Sequence, residues 1–177
     1  YWLGQNMACL AKEKILECIE SGEIAITPYD PSNLGPASVD LSLSNEFRTY
    51  THTNSVVQVS DKVDYRDFTE KTVLAEGEAY MLQPGQACLG ITNERIKLAP
   101  GLCGLLEGRS RFARIGLFVH ITAGFMQPGI DNRQVLEIYN ASNNTMALIP
   151  GTKICQFIFM RMDGEAKYVG KFKDQEL

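Results

Sequence analysis

Four Pro-Gly dipeptides, at positions 84–85, 100–101, 128–129 and 150–151, cut most of this chain into short apolar runs. Proline fixes φ near the value required at the second position of a type II turn, and glycine accepts the positive φ of the third. Runs rich in Val, Ile, Leu and Phe between such turns are too short for helices and suit strands. They fall at residues 23–27, 38–43, 73–74, 79–82, 87–92, 102–106, 117–122, 134–139, 146–149 and 153–160. A helix is predicted only over residues 11–21, where Leu10, Ile15, Leu16, Cys18 and Ile19 share one side and Gly22 supplies a C-terminal cap. The pattern predicts a mainly β domain, a barrel or jelly roll with one short N-terminal helix. The polar stretch 49–71 reads as a long loop or insertion.

With 177 residues, 45% of them hydrophobic, the chain fits one globular domain with a sizeable core. Met7 is a candidate initiator, so residues 1–6 are set aside as a tag or extension and the domain is taken as 7–177. A net charge of -4 argues against broad electrostatic binding to nucleic acid or to an anionic membrane, and leaves any anion site local. No apolar run approaches the roughly 20 residues that span a bilayer, and the amino end lacks signal-peptide features. The five cysteines are odd in number and show no CxxC spacing, which fits reduced core thiols in a cytoplasmic protein.

Two segments carry chemistry. Residues 107–114 place Arg109, Arg111, Arg114 and the Ser110 hydroxyl beside Gly108, on a turn that opens a short helix, which suits an anion such as a phosphate. The apolar run 134–139 carries one carboxylate, Glu137, and burial there is expected to raise its pKa toward the range of a general base. A phosphate clamp near a lone acid/base group points to a small phosphorylated substrate. Ser110 and Arg114, four residues apart, share a helical face, where the hydroxyl can orient water and the guanidinium can hold developing charge.

The ordered set Gly-Arg-Ser-Arg-Phe-Ala-Arg-Ile-Gly-Leu, Val-His-Ile-Thr-Ala-Gly-Phe, Pro-Gly, Val-Leu-Glu-Ile-Tyr-Asn and Leu-Ile-Pro-Gly-Thr-Lys-Ile-Cys-Gln resembles the dCTP deaminase branch of the dUTPase-like superfamily. The resemblance begins at Pro36-Ala37-Ser38-Val39-Asp40-Leu41, passes through Leu82-Gln83-Pro84-Gly85 and reaches Tyr168, Lys171 and Gln175. It implies a homotrimer of distorted dUTPase-like jelly rolls with active sites between subunits, converting dCTP to dUTP and ammonia. Some members also hydrolyse dUTP to dUMP and diphosphate, and dTTP is implied as a feedback ligand.

Carried over by position, the resemblance implies that Arg109, Ser110, Arg111, Phe112, Ala113 and Arg114 hold phosphates and shape the pocket, with Ser110 and Arg114 nearest the chemistry. Val135, Leu136 and Glu137 line the cytosine side, Glu137 being the general base, and Ala123 and Gln127 belong to the adjoining hairpin. Tyr168, Lys171 and Gln175 belong to a segment that folds over the nucleotide. Magnesium is expected to arrive on the triphosphate, with no metal ligands from the protein. Zinc is not expected: the chain lacks H-x-E and P-C-x-x-C motifs, and its two histidines are His52 in a polar loop and His120 in an apolar run.

On residue type alone, Arg111 reads as a solvated or intersubunit arginine and His120 as a satisfied core or interface histidine. Asp40 is expected to hydrogen-bond backbone or a neighbouring subunit. The chain departs from the family pattern at Gln127, where the family has Asp, which weakens the case for phosphate hydrolysis. It departs also at Ile130 in place of an aromatic, at Asn132 in place of glycine, and at Ser42 and Ser44, with consequences expected for substrate preference and subunit contacts. The chain ends just beyond Gln175, where relatives continue, so a shortened closing tail is expected. A dUTP diphosphatase or bifunctional enzyme, in line with Thr122-Ala123-Gly124-Phe125, is the second reading, and a non-catalytic nucleotide-binding protein the third.

Overall fold

The computed structural model describes residues 8–177 except 53–55 and 171–174; the 1–6 extension and Lys171 therefore lie outside the described residues. The elements in order are β1 (Ala8–Cys9), α1 (Lys12–Glu20), β2 (Ile24–Thr27), β3 (Val39–Tyr50), β4 (Thr69–Val73), β5 (Tyr80–Leu82), β6 (Ala87–Leu98), β7 (Leu102–Gly108), α2 (Ser110–Ala113), β8 (Leu117–Val119), β9 (Phe125–Met126), β10 (Asp131–Asn140), β11 (Met146–Leu148) and β12 (Lys153–Arg161).

Ten strands form one sheet along the path β8-β10-β6-β3-β12-β7-β9, with β1, β2 and β4 attached to β12, β6 and β3; β5 and β11 pair separately. The pairings are antiparallel. The two end strands of the path, β8 and β9, are joined by residues 120–124 alone, so the sheet curls until its ends meet. At that seam the Leu106 amide donates to the Gly124 carbonyl at 2.8 Å, and Gly108 lies against Val119. This is the mainly β, curled jelly-roll architecture expected from the turn-punctuated sequence.

Inside the curl, Leu41, Leu43, Phe47, Phe157 and Phe159 are fully buried. Each such side chain contributes about 1.5–3 kcal/mol by leaving water. Gly104 has no room for a side chain, because a Cβ there would collide with the Phe157 ring. Four of the five thiols are buried and free, and burial pushes the Cys88 thiol up to about 12, which keeps it protonated and inert. No described helix is long and apolar enough to cross a membrane.

The turn chemistry holds at three of the four Pro-Gly sites. Gly85, Gly129 and Gly151 have φ of 73°, 74° and 84°. Pro100-Gly101 instead sits in a turn closed by Leu102 donating to Ala99, and Gly101 is not among the positive-φ glycines. The stretch 49–71 is not wholly a loop. A 3-10 turn at Tyr65–Phe68, capped by the Asp64 side chain, leads into β4, which pairs along β3 from Glu46↔Val73 to Tyr50↔Thr69. The sequence reading also missed β1 and β9, two residues each and too short for any periodicity.

Two early departures from the family pattern have local causes. Ser42 donates through its backbone amide and hydroxyl to the Glu94 carboxylate, both at 2.8 Å, so Ser42 satisfies an acid that is itself only 5% exposed. Ser44 is buried beside it in β3. Within its own chain the Asp40 carboxylate meets the Arg109 guanidinium at 3.0 Å.

Candidate active site

Strand β10 supplies one wall of a cavity of about 430 Å³ at the seam of the curled sheet. Its residues alternate between half-buried and buried, the period-2 signature of a strand with one face on the core. Val135 and Glu137 fall on the open face and line the cavity. Leu136, between them, is fully buried and turns its side chain into the core, so any part it has in the site is through its backbone.

Glu137 is less buried than its apolar neighbours suggested, with 34% of its side chain exposed. Its Oε2 accepts long hydrogen bonds from the Thr122 amide at 3.3 Å and the Thr122 hydroxyl at 3.4 Å. Its backbone carbonyl accepts from the His120 amide at 2.7 Å, which pins the loop after β8 against β10. His120 makes that reversal with a φ of 58°, a left-handed conformation uncommon outside glycine and concentrated at functional sites.

The His120 ring is a residue whose placement the sequence did not disclose. Its side chain is 4% exposed, and Nε2 lies 3.0 Å from the Ala123 carbonyl. A carbonyl only accepts, so Nε2 donates and, in the neutral ring, Nδ1 is an acceptor. Nδ1 has no hydrogen-bond partner and stands 4.0 Å from Glu137 Oε2. Only the strand register and the loop reversal bring His120 and Glu137 together; seventeen positions of sequence separate them with no shared motif.

The rest of the cavity comes from the hairpin and the tail. Ala123, Gln127 and Ile130 line it from the hairpin side, Gln127 exposed and Ile130 buried. The Tyr168 amide donates to the Pro128 carbonyl at 2.9 Å, and Gln175 Nε2 donates to the Arg133 carbonyl at 3.1 Å, which sets both tail residues at the rim. Leu177 is buried against Leu89, Ile91, Tyr65 and Val135, so the described tail docks on β6 and β10 of its own chain. Arg133 fixes this end of β10 by donating to the Thr92 carbonyl at 2.7 Å and to Glu46 at 2.6 Å. Burial raises the Glu46 carboxyl, but its bonds to Lys71 and Arg133 more than reverse this, and it sits below the usual carboxylate range.

The arginine segment stands elsewhere. Arg109, Ser110, Arg111, Phe112, Ala113 and Arg114 are all absent from the lining of the cavity. Arg109 is held by Asp40 and by the Lys153 carbonyl at 2.8 Å, while Phe112 packs partly against the core. Ser110, Arg111 and Ala113 are exposed on α2, and Arg114 is exposed at its C-terminal cap. Among the described residues no three His, Cys, Asp or Glu side chains cluster as a metal site.

The family model for dCTP deaminase-like proteins matches residues 9–162. The chain belongs to the dCTP deaminase-like family. It is 35% identical over 163 residues to the "dCTP deaminase, dUMP-forming" of Methanobrevibacter smithii, a match covering 91% of this chain and 84% of that protein. A second relative of the same name, from Persephonella marina, is 38% identical over 168 residues, covering 94% of this chain and 92% of that one. The crystal structure of 2'-deoxycytidine 5'-triphosphate deaminase from Agrobacterium tumefaciens superposes with a TM-score of 0.68 at 16% identity. That match covers 89% of this chain and 49% of the other, so the chain spans about half the length of that structural neighbour, with which it shares the fold.

Within this dCTP deaminase-like chain, the fold therefore gathers Ala123, Gln127, Val135, Glu137, Tyr168 and Gln175 around one cavity. It also brings in His120 and Gln134, which sequence reasoning had not assigned to a site. It leaves Ser110 and Arg114 facing outward from another part of the same chain.

Proposed function

We propose that the protein deaminates dCTP to dUTP and ammonia, with Glu137 shuttling the protons. The single observation that carries this reading is the half-open Glu137 carboxylate at the wall of a nucleoside-sized cavity, with Thr122 donors on Oε2 and His120 Nδ1 facing it. Water adds to C4 of cytosine while Glu137 takes its proton. The carboxyl returns that proton to N3, then takes the proton of the new C4 hydroxyl and hands it to the amine, so that the C4–N bond breaks, C4=O forms and ammonia leaves. Such positioned proton transfer contributes roughly 10²- to 10⁴-fold in rate.

Ser110 and Arg114 complete the site from a second copy of the chain, in a homotrimer with active sites between subunits. Their exposure on α2, outside the cavity of their own chain, supports this. So do the exposed apolar side chains Ile115, Phe118, Ile121 and Phe125 around the same seam, which a neighbouring subunit would cover. In that arrangement the Ser110 hydroxyl orients the attacking water, and the Arg114 guanidinium holds Glu137 and the developing charge. Arg111 and Arg109 reinforce the positive edge that meets the triphosphate, and Tyr168 with Gln175 closes the nucleotide from the tail. The triphosphate binds with its magnesium, whose charge is balanced by phosphate oxygens. The end product dTTP, which shares the pyrimidine and triphosphate, is a feedback ligand of the same site. Free buried thiols suit the reducing cytoplasm.

A second reading, a bifunctional enzyme that carries dCTP through to dUMP, is favoured by the names of the two relatives above and opposed by Gln127, a neutral amide unable to act as a base. Incubation with dCTP and separately with dUTP in magnesium, resolved by anion exchange with an ammonia assay, decides between them. Ammonia with accumulating dUTP is expected; dUMP and diphosphate would establish the second reading, and no ammonia from dCTP would overturn deamination.

A further inference from the structure

Helix α2 cannot hold its own position. It is four residues long, and the side chain of its N-cap residue, Arg109, makes no capping hydrogen bond. Ala113 and Arg114 donate to the Arg109 and Ser110 carbonyls, both at 3.1 Å. A helix with so few bonds does not offset the cost of its own nucleation, so its placement comes from the chain on either side. After α2, the Ala141 amide donates to the Gly116 carbonyl at 2.8 Å. Before it stands a larger polar clamp.

Asp40 of β3, Gln156 of β12 and Glu107 of β7 stand opposite one another across three strands. Gln156 Nε2 donates to the Gly108 carbonyl at 3.3 Å, and its Oε1 accepts from the Ser38 hydroxyl at 3.0 Å. One residue further on, Arg109 folds back over this row. Its Nη1 donates to the Lys153 carbonyl at 2.8 Å, and its Nη2 meets Asp40 Oδ2 at 3.0 Å. Two nitrogens of one planar fork on two separate partners fix the guanidinium in place and direction. The Asp40 and Arg109 side chains are only 22% and 27% exposed, so the pair is screened less than a fully exposed one. Without Asp40 a single carbonyl would hold the guanidinium, which could then swing into solvent.

We propose that Asp40 is a positioning residue for deamination: through Arg109 it sets where α2 stands, and so where this chain presents Ser110 and Arg114 to a neighbouring copy. This rests on the reading of the site as divided between subunits. Arg109 directly precedes Ser110, and the Arg114 amide hangs on the Ser110 carbonyl, so a rotation of the backbone at Arg109 displaces both groups. A displacement of about 1 Å costs on the order of 10²-fold in rate at a site that depends on alignment. Loss of Asp40 therefore damages the α2 half of the site and spares the β10 half.

The test co-expresses Asp40→Ala with Glu137→Gln, and separately with Ser110→Ala, and measures ammonia release from dCTP by the mixed oligomers and by each variant alone. Alone, Asp40→Ala is expected to lower kcat about 10- to 100-fold. Mixed with Glu137→Gln it should return about a quarter of wild-type activity, since that share of randomly assembled sites joins an intact α2 to an intact β10. Mixed with Ser110→Ala it should return nothing further, because both lesions lie in the same half. A general loss of structure in the Asp40→Ala chain would spoil both halves and give no recovery with either partner. Should that variant fail to fold, Asp40→Asn, which keeps the size and removes the charge, goes through the same pairings. Undiminished kcat in the Asp40 variant, recovery with Ser110→Ala, or no recovery with Glu137→Gln overturns the role of Asp40 alone, provided the control pair Ser110→Ala with Glu137→Gln recovers. Failure of that control, or no ammonia from the wild type, overturns the divided deaminase site and the role of Asp40 with it.

Discussion

The β10 wall and the α2 segment carry the two halves of the proposed chemistry in opposite physical settings. Strand β10 lies between β6 and β8, with every second side chain in the core, and its ligand-facing residues Val135 and Glu137 are oriented by that packing. Helix α2 is four residues long, has no side-chain cap, and exposes Ser110, Arg111 and Arg114 to solvent. The carboxylate is thus preorganised by its own chain. The guanidinium and hydroxyl are displayed outward, where only a second surface can give them a fixed geometry. The proposed intersubunit site would be completed by oligomerisation rather than by folding alone.

The largest effect is expected from dividing the two halves by mutation. Glu137→Gln and Ser110→Ala should each lower kcat about 10²- to 10⁴-fold while leaving nucleotide affinity within a few-fold. Co-expression of the two variants should return about a quarter of wild-type activity, since random mixing regenerates that share of intact sites. Complementation assays read this directly, and no recovery would mean that both groups act within one chain. Retained turnover in Glu137→Gln would remove Glu137 as the base, and nucleotide binding without turnover in the wild type would favour the binding protein considered from sequence.

Packing should separate the two regions next. Leu136→Ala removes a fully buried side chain from the rigid wall and is expected to cost about 2–5 kcal/mol. Arg111→Ala on α2 should stay within about 0.5 kcal/mol. Urea unfolding of both variants measures the contrast, and equal losses would show that α2 is as tightly built as the strand.

The smallest effect is expected from pH. Glu46, tied to Arg133 at the base of β10, has its carboxyl held below the ordinary range in the folded protein. A depressed folded pKa adds stability above the unfolded value of about 4.3, and that stability is lost as pH falls through the folded value. Wild type should therefore lose stability in mild acid more steeply than Glu46→Gln, by unfolding midpoints at pH 7, 5 and 4. Parallel curves would remove Glu46 from the support of the wall.

Much of the fold was legible because turns and short apolar runs are local signals. Gly85, Gly129 and Gly151 sit in the positive-φ positions that Pro-Gly implied, and the strands β6, β10 and β12 appear where the runs lay, extended at one or both ends. The two-residue strands β1 and β9 and all of the partner strand β4 but its end at Val73 were not legible, since their pairing is set by distant backbone rather than by their own side chains. In the site, Glu137 stood out as a lone acid in an apolar run, but its exposure and its facing of His120 depend on how the 120–124 loop turns back on β10. Arg109 looked like its neighbours Arg111 and Arg114, yet the fold commits it to Asp40, sixty-nine positions away.

The sequence by itself determined the class of fold, the family and the residue types available for chemistry, because turn propensity, hydrophobic alternation and ordered motifs act over a few neighbouring residues. Only the tertiary structure decided which of those residues meet. Closure of the sheet placed Glu137, His120 and Gln134 on one cavity, turned Leu136 into the core, and left Ser110 and Arg114 facing away. Such juxtapositions depend on strand register and on the curl of the whole sheet, quantities that no short stretch of the chain encodes alone.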